Sequence, residues 1–122
     1  MEKELNKLLA DLVVEYHKLQ SFHWYLKGYH FFDDHAKLEE YYDSVAEAVD
    51  GVAENMLKLG LKPESTMKGF LALSSIEEAK NKEVTSEEAY TEVLKDFNMC
   101  GTSIHVNVQS IWFCIDYISF RS

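Results

Sequence analysis

Residues 33–60 read DDHAKLEEYYDSVAEAVDGVAENMLKLG, and their spacing decides the class of fold. Leu38, Tyr41, Tyr42, Val45, Val49, Val52 and Met56 recur at three- and four-residue steps, which gathers them on one face of an α-helix. Asp33 or Asp34 can cap its start, Gly60 can close its end, and Pro63 just beyond bars continuation. On the N-terminal side, Leu5, Leu8, Leu9, Leu12, Tyr16, Leu19, His23 and Leu26 repeat the same period, predicting a first helix that runs to about Lys27 and stops at Gly28. On the C-terminal side, residues 63–84 read as a long connection with a short helix around Met67 to Leu73. Thr85 with Glu88 makes a capping box for a third long helix starting near Ser86.

The remaining composition agrees with an all-α chain. At 122 residues there is room for one domain, 1–122, and 47 % hydrophobic content with a single Pro and five Gly excludes a disordered chain or a turn-dense β-sandwich. A formal net charge of -9 repels a phosphate backbone and attracts cations, so direct DNA binding is not expected. The first ten residues interleave Glu and Lys and carry no export signal, and no apolar run is long enough for a membrane span. Cys100 and Cys114 lie outside any Cys-x-x-Cys spacing, which leaves the cytoplasm as the expected address. There is no P-loop, dinucleotide fingerprint or nucleophile elbow.

The chain changes character near Asn98. Of its 33 charged residues, 31 precede that point, leaving only Asp116 and Arg121 beyond it. Residues 98–122 are β-branched and aromatic where the earlier chain favours Leu, Ala, Glu and Lys. This anomalous tail reads as a frameshifted or spliced ending, prone to aggregation and able to dock as a substitute helix or strand.

The second helix carries the chemistry. His35, Glu39, Asp50 and Glu54 fall at about 0°, 40°, 60° and 100° around its axis, in one quadrant beside the apolar stripe. Glu39 and Asp50 are nonetheless about 16 Å apart along the axis, too far to share one metal ion. Two copies packed antiparallel about a two-fold axis near Ser44 and Val45 would set Asp50 and Glu54 of one opposite His35 and Glu39 of the other. His23 of the first helix can complete a set of two imidazoles and three carboxylates, which suits iron or manganese, with zinc a competitor. The competing reading is ordinary: carboxylates four apart are usually a solvated face, and a His in an apolar stripe is usually a core residue. No Glu-x-x-His occurs, so a di-iron centre within one chain is disfavoured. His17, His30 and His105 read as structural, and Tyr25, Phe31, Phe32, Tyr41 and Tyr42 as filling for the core and the dimer interface.

The run His23-Trp24, then Gly28, Phe31, His35, Tyr42, Asp50, Ala53 and Glu54, followed by Leu59-Gly60 and Pro63, resembles the signature of the Dps-type mini-ferritins of the ferritin-like superfamily. The resemblance covers residues 5 to about 97 and includes Ser74-Ser75-Ile76. It implies a ferritin-like four-helix-bundle fold, here with two complete long helices and a third begun, and an intersubunit iron site. His23 and His35 would come from one chain, Asp50 and Glu54 from its two-fold mate, and Glu39 would be a further acidic ligand, with Trp24 beside the site. It also implies a homo-oligomeric shell of twelve subunits that oxidises Fe(II), preferentially with hydrogen peroxide but with oxygen as an alternative oxidant, and stores ferric oxide, protecting the cell from oxidative stress. Both histidines must be neutral to bind metal, so loading should fail on acidification. Two departures stand out. Asn55 follows Glu54 where the family commonly has Arg, and the long fourth helix has no counterpart in 98–122. The alternative function is therefore a non-catalytic helical subunit that dimerises or co-assembles with a full-length relative without oxidising iron.

Overall fold

The computed structural model describes residues 1–102, in which four helices follow one another: α1 (Glu2–Tyr25), α2 (Phe31–Lys58), α3 (Met67–Leu73) and α4 (Ser86–Thr102). No β-strand occurs among the described residues, and a lone parallel bridge joins Leu26 to Val84. The fold is all-α, as the two apolar stripes require. Expectations for the tail, including His105, Cys114 and any docked substitute helix, lie outside the described residues. The third long helix runs on to Thr102, five residues beyond Phe97. The change of composition at Asn98 is therefore not a helix boundary, because an established helix extends through residues of middling propensity at little cost.

The chain reverses at two glycines whose φ angles suit no other residue well. Gly28 (φ 123°) lies between α1 and α2, and Gly60 (φ 75°) closes α2. At the second, the Gly60 N–H donates to Leu57 C=O at 3.0 Å and the Leu61 N–H to Met56 C=O at 2.8 Å, the paired bonds of a Schellman ending. Thr66 Oγ1 accepts from the Gly69 N–H to start α3, and Thr85 Oγ1 accepts from the Glu88 N–H to start α4, as the capping-box spacing predicts. The start of α2 differs from expectation. It begins at Phe31 without a side-chain cap, and neither Asp33 nor Asp34 serves as one.

Helix α1 lies along α2 and also meets α3 and α4. It buries Leu5, Leu8, Leu9, Leu12 and Leu19 against Leu38, Val45, Val52 and Met56 of α2. Being covered on several sides, it also buries charge: Asp11, Glu15 and Lys18. These stand at i, i+4 and i+7, in a row about 100° around the helix from the leucine stripe. Asp11 is fully occupied. Its Oδ1 accepts from Ser74 Oγ at 2.8 Å and from the Ser75 N–H at 2.7 Å, and its Oδ2 accepts from Lys7 Nζ at 2.9 Å. That carboxylate ties the Ser74-Ser75-Ile76 segment, and with it the long connection, onto α1.

Replacing Asp11 leaves the half-buried Ser74 hydroxyl and the Ser75 N–H without their protein acceptor and Lys7 without its partner. We expect Asp11→Ala to lower stability by about 2–3 kcal/mol in urea unfolding, with Ser74→Ala costing about 1 kcal/mol. Equal costs for the two would show that the carboxylate does not organise the connection.

Candidate metal site

The turn at residues 26–30 sets the last turn of α1 against the first of α2. It is held from behind by Val84, whose carbonyl accepts from the Lys27 N–H at 3.0 Å and whose N–H donates to Tyr25 C=O at 3.1 Å. His23 and His35 thereby become neighbours. Their rings stack with centroids 3.5 Å apart and planes 14° from parallel. Each reaches across to the other's backbone: His23 Nδ1 lies 2.6 Å from His35 C=O, and His35 Nδ1 lies 2.8 Å from His23 C=O. A carbonyl oxygen only accepts, so each Nδ1 carries the hydrogen, and in the neutral ring the Nε2 lone pair is left for a metal ion. Outer contacts that fix orientation in this way are what a metal-ligating imidazole requires. Phe31 stacks on His35 at 4.8 Å, and Tyr42 meets His23 edge-on at 5.4 Å, so aromatic rings bound the pair on both sides.

A second set of contacts comes from α4. Asp34, adjacent to His35 in the chain, accepts hydrogen bonds from Ser86 Oγ and, at 3.0 Å, from the Tyr90 hydroxyl. Burial, then the hydrogen bond to Asp34, pushes the Tyr90 phenol well above its ordinary range, so it remains a donor. Sequence reading missed Ser86 and Tyr90 because the aspartate pair at 33–34 already had a use as a helix cap.

The carboxylates are distributed differently. Glu39 stands one turn beyond His35, close enough to Tyr42 that burial, followed by the charges of Glu39 and Asp43, raises that phenol. Asp50 and Glu54 are exposed on the same helix, about 22 Å and 28 Å farther along the axis from His35. Among the described residues of one chain, no three His, Cys, Asp or Glu side chains converge into a metal site. One subunit thus brings His23 and His35 together, keeps Glu39 nearby and leaves Asp50 and Glu54 apart. Trp24 is exposed and packs edge-on against His17 at 5.7 Å. Phe31, Tyr41 and Tyr42 pack against the core, whereas Phe32 is exposed.

A family model for the ferritin-like domain matches residues 2–111. "DNA protection during starvation protein 2" of Bacillus anthracis is 46 % identical over 95 residues, an alignment that spans 78 % of this chain and 64 % of that protein. The crystal structure of antigen TpF1 from Treponema pallidum superposes with a TM-score of 0.88 at 34 % identity, covering 98 % of this chain and 84 % of that one. The DPS protein from Vibrio cholerae O1 is described as a member of a broad superfamily of ferritin-like diiron-carboxylate proteins. It superposes with a TM-score of 0.82 at 25 % identity, over 98 % of this chain and 80 % of that one. The chain spans roughly three-fifths of the length of the first curated relatives it matches, 64 % and 56 %. On the stripes, the glycine-closed turns, the paired histidines and these likenesses, the chain belongs to the Dps-type mini-ferritins of the ferritin-like family.

Proposed function

We propose that two copies of this chain pair antiparallel along α2, about a two-fold axis near Ser44 and Val45, and that each pair makes two sites for oxidising Fe(II). His23 and His35 of one subunit supply the imidazole nitrogens, Asp50 and Glu54 of the other supply carboxylates, and Glu39 is a further acidic ligand beside the histidines. The observation that carries this reading is the stacked histidine pair, with both Nδ1 atoms committed to backbone and both Nε2 atoms left for metal. Membership of the family supports it further. The site is metal-poor in one chain and ligand-rich when doubled, because 35 pairs with 54 and 39 with 50 about the same midpoint.

The chemistry follows from the ligand types. A mixed imidazole and carboxylate set holds Fe(II) with positions open for an oxidant, and the anionic oxygens stabilise Fe(III) over Fe(II). Two Fe(II) ions give one electron each to hydrogen peroxide, whose O–O bond breaks to the level of water with no hydroxyl radical released. The ferroxidase product would be stored as ferric oxide in a shell of twelve subunits in the cytoplasm. The name of the Bacillus anthracis relative refers to DNA protection. With a net charge of -9, this chain would protect by removing iron and peroxide instead of coating DNA. No described helix is long and apolar enough to cross a membrane.

His35→Ala and Asp50→Ala should each slow Fe(II) oxidation by peroxide at least about 100-fold while leaving helicity intact. Mixing the two variants should restore part of the rate, because an oligomer with one subunit of each kind rebuilds one intact site. Loss in both singles with no recovery on mixing would sink the intersubunit arrangement. Unchanged oxidation in both variants would defeat the proposed site, and no oxidation by the wild type above the protein-free rate, with light scattering showing monomers or mixed assembly only with an intact relative, would favour the non-catalytic subunit.

Nitrogen NMR gives an independent check. Both rings should show a protonated Nδ1 and a bare Nε2 at neutral pH in the metal-free protein, and Zn(II) or Fe(II) should shift the Nε2 signals. A bare Nδ1 in either ring would contradict the ligand orientation.

A further inference from the structure

We propose that Glu15 of α1 and Asp96 of α4 share a single buried proton, that this proton fastens α4 to α1, and that its loss loosens the grip of α4 on the start of α2. The inference is independent of the iron reading. Glu15 is completely buried, and neither of its carboxyl oxygens meets an N–H or O–H donor. What Glu15 does meet is the Asp96 carboxyl, itself 3 % exposed. Two carboxylates facing each other in a dry interior repel, whereas one proton between them turns the contact into a strong hydrogen bond.

The charges around the pair favour keeping a proton on it. Lys18 of α1 lies 2.8 Å from Asp96 Oδ2 and 3.1 Å from Glu92 Oε2. Burial opposes its ammonium, but the ion pairs with Asp96 and Glu92 outweigh this, so Lys18 keeps its charge. The groups facing Glu15 are then Lys18 from its own helix and Asp96 and Glu92 from α4. The buried residues of α2, namely Leu38, Val45, Ala48, Val52 and Met56, include none that titrates, and α3 buries only Phe70. With Glu15 protonated the cluster carries a net charge of -1, and without the proton it carries -2 around one lysine. Burial first, then Asp96, holds the Glu15 carboxyl well above the ordinary carboxylate range.

Solvent comes close to the partners of the pair. A cavity of about 510 Å³ lies between α1, the connection at 77–84 and the first turns of α4, with Lys18 and Glu92 among its walls. Loss of the Glu15 proton to hydroxide gives water and a second carboxylate. The consequence travels along α4, because the same helix holds Asp34 through Ser86 and Tyr90. A carboxyl raised in the folded state contributes stability in full below its unfolded value, and that contribution is lost as pH rises through the folded value. The lock therefore weakens towards alkaline pH.

The test uses the full chain and Glu15→Gln, which keeps the shape and donates an N–H to Asp96 with no removable proton. Thermal unfolding is followed from about pH 5 to about pH 9, together with hydrogen exchange over residues 86–97. We expect the wild-type midpoint to fall by at least about 5 °C relative to the variant across this range. Exchange in α4 should also rise with pH more steeply in the wild type than in the variant. Parallel midpoints and parallel exchange would overturn the proposal. Should the variant fail to fold, carbon NMR of carboxyl-labelled glutamate in the wild type decides alone. One signal titrating well above the ordinary carboxylate range supports the shared proton, and ordinary titration of all of them refutes it.

Discussion

Everything in this subunit depends on α1 being covered on more than one side. A surface helix would bury one stripe and leave the rest in water. Here consecutive residues from Leu8 to Leu12 are all buried, so the edge of the helix that would ordinarily be wetted must find partners within the protein. It finds them in different ways along its length. At Asp11 every lone pair that matters is met by Lys7, Ser74 and Ser75. At Lys18 the ammonium is met by two carboxylates from α4. At Glu15, between them, the partner is another acid. An apolar residue at position 15 would have been the simpler solution for packing, because an unpaired buried carboxylate costs several kcal/mol.

The histidine pair follows from the same packing. His23 is on the buried stripe of α1 and His35 on the first turns of α2, and they can exchange Nδ1 hydrogen bonds only if the two helices end and begin at the same level. Gly28 provides the reversal, and Val84 clips the end of α1 from outside. The acids of α2 answer to a different constraint. A straight helix cannot bring residue 35 near residue 54, so any site using both must borrow one end from a second copy. In the proposed site the need for a second copy comes from the rigidity of α2, not from any weakness of the individual ligands.

How far this was legible from residues alone depends on the kind of signal. The leucine and tyrosine stripes, the stops at Gly28 and Gly60, the cap at Thr85 and the short helix at Met67–Leu73 are local patterns, and local physics fixes them. The contact between His23 and His35 could be guessed from their stripes, but the exchange of Nδ1 bonds could not, because it depends on the exact geometry of the turn. Asp34 shows the reverse difficulty. An aspartate at a helix start has a sufficient local explanation as a cap, and that hid its actual partners, Ser86 and Tyr90, more than fifty residues away. The row Asp11, Glu15 and Lys18 looks in sequence like the wet border of an amphipathic helix. Only the placement of α3, the connection and α4 converts it into a buried network. Glu39, Asp50 and Glu54 remain a pattern awaiting a partner, since one chain cannot display the arrangement they imply.

The proposed shared proton and the histidine pair are joined through α4. α1 carries Glu15 about two turns before His23, and α4 carries Asp96 at one end of a span whose other end, at Ser86 and Tyr90, reaches Asp34 beside His35. The histidine pair is thus held from two directions, by the turn at Gly28 and by α4. Of these, the first consists of backbone hydrogen bonds that pH leaves alone, whereas the second runs through carboxyl groups and a phenol. Apart from protonation of the imidazoles themselves, the α4 side is where pH reaches the support of the pair. Rigid helices carry such a change without themselves unfolding, because a small shift of a helix at one end moves the side chains at its other end by a comparable distance.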